Sequence, residues 1–203
     1  MVDLGSGVSN LFPYFLNEAG NKQLAVFVTH FHLDHLIGLV VLPNLNGAKT
    51  EIRIAARVHG DFEIEDVVNN LIKPPYWPLG IRAMSNAVEF ENLPDRHGAA
   101  PRMVGDIAVR WCPQQHPGGS TAYRFDECST GESVVVATDV EWQASTEEQK
   151  SDFIALCTEC GPLDLLVMDG QFQQSEYSKF TGWGHSTWTD VIDVAKASSA
   201  SRC

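Results

Sequence analysis

Apolar residues along this chain come in short runs that stop at polar clusters, and the period of each run predicts an element. Leu24-Ala25-Val26-Phe27-Val28 is a β-branched apolar run and predicts a buried strand, and residues 163–168 predict another that ends at Asp169. Residues 51–55 alternate with the period of two of a half-buried strand. Residues 120–125 and 133–137 predict two strands joined by the polar turn 126–132, the second delivering Thr138-Asp139 at its end. Residues 87–90 and 107–109 read as short strands of a second sheet. Helices are predicted over 11–18, closed by Gly20 and Asn21, and over 36–42, ended by Pro43 and the Asn44, Asn46 and Gly47 that follow. A third spans 61–72 with Phe62, Val67, Val68 and Leu71 inward, and a fourth spans 146–157 with Ser145 or Thr146 as N-cap. The last runs from Ser186 or Thr187 to Ala197.

Between these elements, Lys73-Pro74-Pro75-Tyr76-Trp77-Pro78 fits neither a helix nor an inner strand, because its prolines lack the N–H that both need. It predicts a surface loop whose Tyr76 and Trp77 either wall a substrate pocket or cover the edge of the core. His59 beside Gly60, and His97 within Pro94-Asp95-Arg96-His97-Gly98, stand among turn residues and are expected to face solvent.

The chemistry concentrates in Thr29-His30-Phe31-His32-Leu33-Asp34-His35, with apolar runs on both sides. In an extended backbone His30 and His32 point the same way, and a turn after them could aim Asp34 and His35 at a neighbouring point. Such a geometry suits two adjacent metal ions. Read instead as a solvated polar turn, the cluster would leave the desolvation of its imidazoles unexplained.

This HxHxDH pattern resembles that of the metallo-β-lactamase-fold superfamily of metallohydrolases. Gln115-His116-Pro117-Gly118-Gly119-Ser120, followed by Tyr123-Arg124-Phe125, resembles the superfamily's third metal-binding segment, and Ala137-Thr138-Asp139-Val140-Glu141 its fourth. Gly182-Trp183-Gly184-His185-Ser186-Thr187 is similar to the HST element of the phosphodiesterase branch, which includes ribonuclease Z and the cyclic-phosphate phosphodiesterases. The resemblance implies an α/β chain folded as a four-layer αββα sandwich, two mixed sheets packed face to face under outer helices, in a single domain over 1–203. It implies that His30, His32 and His116 hold one metal, that Asp34 and His35 hold a second, and that Asp139 bridges them. Two divalent ions follow, zinc by ligand type, with manganese and iron(II) compatible. A metal-bridging hydroxide would attack the substrate in line. By the same resemblance Asp34 is catalytic, His185 contacts the scissile phosphate and protonates the leaving oxygen, and Asp169 orients His185. Met168-Asp169-Gly170-Gln171 departs from the His-Glu-Ala-Thr of the ribonuclease Z group at this point.

Asp3-Leu4-Gly5-Ser6-Gly7 is similar to a DxGxG segment that in the superfamily follows one or two N-terminal strands, and the superfamily's last helix leads to a final strand ending in one more His. Without those strands, the second ion is expected to keep only Asp34, His35 and Asp139 and to bind more weakly. Open sheet edges would then invite association, as in a homodimer.

Length and composition narrow the function. A chain of 203 residues is long enough for one substantial core. Its formal charge of −12 disfavours an extended nucleic-acid face and fits a small phosphodiester: a cyclic nucleotide, a small cyclic phosphate or an RNA end. Five cysteines, an odd number in a chain too large to need staples, point to reduced thiols and a cytoplasmic protein, and Cys157-Thr158-Glu159-Cys160 reads as a helix end. No apolar run of about 18 residues predicts a membrane span. Among the resembling hydrolases, zinc β-lactamases of the best-known type carry Cys at the position of Asp139, diiron oxidoreductases have Glu at the position of His32, and glyoxalase II and the lactonases lack the Gly-His-Ser-Thr element. A binuclear-metal phosphodiesterase is therefore the leading expectation. The alternatives are a thioesterase or lactonase of the same fold and a catalytically silent metal-binding domain.

Overall fold

The computed structural model describes residues 1–203 except 12, 14–21, 49, 79, 82–87 and 97–99. Nearly all of the helix expected over 11–18, and His97, lie outside the described residues. The chain forms two compact units, Met1–Pro94 and Asp95–Cys203.

In the first unit β1 (Lys22–Val28), β2 (Thr50–Arg57) and β3 (Val88–Leu93) form a parallel sheet in that order. Parallel neighbours need a crossover. The first crossover contains α1 (Leu33–Leu36), which continues as a 3-10 helix over Ile37–Ala48, and the second contains α2 (Ile64–Leu71). The strand expected over 87–90 thus belongs to this sheet and not to the second, because the α2 crossover brings β3 back parallel to β2. Val26, Val28, Ile54 and Ala56 share their core with Ile64, Val68 and Ile72.

Two helices begin elsewhere than expected. α1 starts at Leu33 with His32 as N-cap, so Asp34 and His35 occupy its first turn instead of a turn preceding it. The helical path also runs past Pro43, whose fixed φ matches 3-10 geometry. Gly38 allows this path to press against the chain start: its N–H donates to the Leu4 carbonyl at 2.6 Å, and a Cβ there would collide with the carbonyls of Leu4 and Gly5. α2 starts at Ile64 because residues 59–62 are used in a tight antiparallel bridge between His59 and Phe62, with Gly60 at φ 62°. Phe62 is consequently 64% exposed and not inward. The same bridge buries His59, expected at the surface, with its ring centroid 5.0 Å from that of Phe31. In the proline-rich loop Trp77 packs on the core while Tyr76 is exposed.

In the second unit β4 (Arg102–Val104), β5 (Ile107–Gln114), β6 (Ser120–Glu127), β7 (Ser133–Ala137) and β8 (Leu165–Met168) form one sheet in that order. Its strands are antiparallel except for the parallel β7–β8 pair, whose crossover contains α3 (Glu147–Thr158). α4 (Trp188–Ala197) follows. Thr146 caps α3 in a reciprocal capping box with Gln149. The other end of α3 is closed by Arg124 of β6, whose guanidinium is 1% exposed. It donates to the carbonyls of Leu156, Cys157, Gly161 and Pro162, and its Nε donates to Asp126 at 2.8 Å. One planar fork thereby satisfies helix-end carbonyls that a buried terminus would otherwise leave unpaired. No helix among the described residues is long and apolar enough to cross a membrane.

Arg124→Ala should destabilise the chain by about 3 kcal/mol or more, since several buried acceptors lose their donor together. Thr146→Ala, which removes one exposed cap, should cost about 1 kcal/mol. Denaturant unfolding of the two variants beside the wild type checks both values, and equal losses would show that Arg124 does not anchor α3.

Candidate functional site

The first group of candidate side chains begins where β1 ends. His30 is buried, His32 and Asp34 are exposed, and His35 lies between. His30 Nε2 and His32 Nδ1 stand 3.0 Å apart, as the period-two alternation requires. Two nitrogens on a tetrahedral zinc, each at about 2.0–2.1 Å, would be about 3.3 Å apart, so this spacing fits joint ligation of one ion. The His35 ring centroid is 4.2 Å from that of His30, and His35 Nε2 is 3.4 Å from Asp34 Oδ2.

Asp3, to which the sequence pattern attaches no role, organises this group. Its carboxylate accepts the Thr29 backbone N–H at 2.7 Å, the Thr29 hydroxyl at 2.9 Å and His35 Nδ1–H at 2.8 Å. A carboxylate only accepts, so the hydrogen of this bond is on His35 Nδ1. The Thr29 hydroxyl, having donated to Asp3, accepts from His30 Nδ1 at 3.0 Å, which places a hydrogen on that nitrogen and turns Nε2 toward His32 Nδ1. Asp3 adopts a left-handed φ of 57°, a strained conformation that Asp tolerates better than most residues. A DxGxG segment signals a turn; nothing in it signals that the Asp is buried under two histidines.

The second unit carries the remaining candidates. His116 follows β5 in a turn closed by the Gly119 N–H on the His116 carbonyl at 2.8 Å, with Gly118 at φ 82° and Gly119 at φ 85°. Those angles explain the paired glycines. Asp139 follows β7 at φ 51°, with Oδ2 3.8 Å from His116 Nε2. His185 donates through Nδ1 to Asp169 Oδ2 at 2.7 Å, and its ring centroid is 5.6 Å from that of His116. Burial pushes the Asp169 carboxyl above its ordinary value against the pull of the His185 and Gln171 N–H groups, and the nearby Asp139 pushes the same way. The expected Asp169–His185 contact is thus present in the second unit.

The start of α4, just after His185, is already supplied with acceptors. Thr187 and Asp190 cap each other, the Trp188 N–H donates to the Phe172 carbonyl, and the Asp190 carboxylate occupies the helix end. His185 precedes this capped start and is bonded through Nδ1 to Asp169.

Glu141 is a further residue the sequence pattern leaves without a role. It is 1% exposed, and its carboxylate accepts the Tyr177 hydroxyl at 2.7 Å and the N–H groups of Gly182 at 2.7 Å and Gly184 at 2.9 Å. Burial raises its carboxyl, but the Gly182, Tyr177 and Gly184 donors, with His116 beside them, outweigh burial and hold it below the usual value. Burial and Glu141 in turn push the Tyr177 phenol up, which keeps it a donor.

Imidazoles beside carboxylate oxygens are a donor set that fits zinc, manganese or iron(II). The thiols fit less well. Cys157 is buried within α3, its thiol pushed up to about 12 by burial against the opposing influence of Arg124, so the CxxC segment is a helix end as its pattern suggests.

Comparison with solved structures finds the fold again at low identity. Unliganded yeast PDE1 is 21% identical over 86% of this chain and 51% of its own, with a TM-score of 0.64. The metallo-β-lactamase fold protein YhfI from Bacillus subtilis is 20% identical over 98% of this chain and 69% of its own, with a TM-score of 0.66. The short form of human tRNase Z, ELAC1, is 18% identical over 98% of this chain and 77% of its own, with a TM-score of 0.65. The chain thus spans about half the length of yeast PDE1. No curated protein sequence matches it. The model of the beta-lactamase superfamily domain, however, matches residues 9–203, and the chain belongs to that superfamily, with the metallo-β-lactamase fold.

Proposed function

We propose that this chain is the catalytic part of a two-metal phosphodiesterase acting on a small phosphodiester such as a cyclic nucleotide, a cyclic phosphate or an RNA end. One ion would be held by His30, His32 and His116, a second by Asp34 and His35, with Asp139 shared between them. Bound there, divalent ions supply Lewis-acid activation of water and neutralise charge on the phosphoryl oxygens. The chain's own residues supply the rest. His185, fixed through Nδ1 on Asp169, presents Nε2 as the group that protonates the leaving oxygen. Asp169 keeps the ring oriented and stabilises the imidazolium before the proton is given up.

The observation that carries this reading is the 2.7 Å Asp169–His185 pair beside His116. A leaving alkoxide needs a proton, and a carboxylate-anchored imidazole is the group suited to give it near neutral pH. The likeness in fold to proteins named PDE1 and tRNase Z supports the same class. The net charge of −12 favours a small substrate over an extended strand.

Turnover of bis-p-nitrophenyl phosphate with added zinc or manganese tests the reading. Chelation and Asp34→Ala should each abolish it. His185→Ala should lower kcat by about 10²–10⁴-fold with metal content unchanged. Metal loss in the His185 variant would show that this residue is a ligand and not the acid. Turnover of thioesters or lactones in place of phosphodiesters would overturn the substrate class.

A further inference from the structure

We propose that Glu141 is a positioning residue, whose carboxylate fixes the loop from Gly182 to Gly184 so that the Gly184 carbonyl holds His116 with a hydrogen on Nδ1 and Nε2 turned toward Asp139. The chain of contacts lies within the second unit. Both glycine N–H groups flanking Trp183 point at the same carboxylate, Gly182 at Oε1 and Gly184 at Oε2. The Gly184 carbonyl accepts His116 Nδ1 at 2.8 Å, and a carbonyl only accepts, so the hydrogen belongs to Nδ1. Gly184 has φ 89°, and a Cβ on it would collide with the His116 ring, so the close approach of loop and imidazole requires glycine.

The other side of Glu141 is held as firmly. Its backbone N–H donates to the Gln115 carbonyl at 2.8 Å, next to His116 in sequence, and its own carbonyl accepts from the Ala144 N–H and the Ser145 hydroxyl. No lysine or arginine among the described residues pairs with its carboxylate. A buried carboxylate without a cation is costly unless donors satisfy it, and here three donors do, two of them from the loop that orients His116. The loop conformation and the burial of Glu141 therefore support each other. His185, the next residue after Gly184, starts from the same fixed point.

The part of the proposal that concerns metal affinity rests on His116 being a ligand; the part that concerns the tautomer does not. Long-range proton–nitrogen correlation spectra of the metal-free, 15N-histidine-labelled protein read the tautomer directly. Wild-type His116 should carry its hydrogen on Nδ1. In Glu141→Gln the amide opposes an N–H group with its own N–H₂ and cannot satisfy all three donors. His116 should then shift toward a mixture of tautomers, and the zinc dissociation constant should rise by about 10–100-fold. Tyr177→Phe removes the hydroxyl donor but leaves both glycine N–H groups paired, and it should keep both the wild-type tautomer and the wild-type affinity. A folded Glu141→Gln protein with unchanged tautomer and affinity overturns the proposal, as does an Nε2–H tautomer in the wild type, which stands even if the variant fails to fold. A tautomer shift with unchanged zinc affinity supports the positioning role and removes His116 from the ligand set.

Discussion

A carboxylate taken out of water must be surrounded by donors, and in each unit of this chain one buried carboxylate meets that demand by gathering the backbone around a histidine. Asp3 draws in the Thr29 N–H, the Thr29 hydroxyl and His35 Nδ1. Glu141 draws in Tyr177, Gly182 and Gly184. Asp3 bonds the imidazole of His35 directly, whereas Gly184, whose N–H is held on Glu141, offers its carbonyl to His116 Nδ1. The donor geometry is therefore set by the folded protein itself, and an incoming ion would have little reorganisation to do.

The strands make this possible. In the first unit the parallel β1 ends directly ahead of Thr29, and in the second β7 ends ahead of Asp139 while its parallel neighbour β8 ends at Met168, one residue before Asp169. Loops leaving such strand ends are held at their base by the sheet and can carry strained residues. Asp139, left-handed just after β7, is such a residue. The superfamily hosts many chemistries, so membership by itself does not choose among them. The features on which a choice can rest here are local: the His185–Asp169 pair and the loop bonded to Glu141.

How far the sequence could be read followed from the range of each interaction. Strands β5 to β8, Thr146 as one of two N-cap candidates of α3 and the clustering of His30 with His32 depend on neighbours close along the chain and were legible in period and residue type. Phe62 faces solvent because a two-residue bridge with His59 outcompetes one more helical turn, and no periodicity encodes that choice. The sheet to which β3 belongs depends on the α2 crossover, which the apolar pattern of residues 87–90 does not report. Asp3 and Glu141 were illegible for a further reason. An acidic residue beside Gly or Trp in a polar stretch looks like surface, and only long-range donors, such as His35 for Asp3 or Gly184 for Glu141, make burial tolerable.

The central claim is that pre-set imidazoles and carboxylates, and not the five cysteines, hold the metal. X-ray absorption at the zinc edge of the loaded, dialysed protein tests it most directly. The account predicts a shell of nitrogen and oxygen scatterers at about 2.0–2.1 Å, with outer-shell scattering from imidazole rings and no sulfur. A sulfur shell at about 2.3 Å would contradict it.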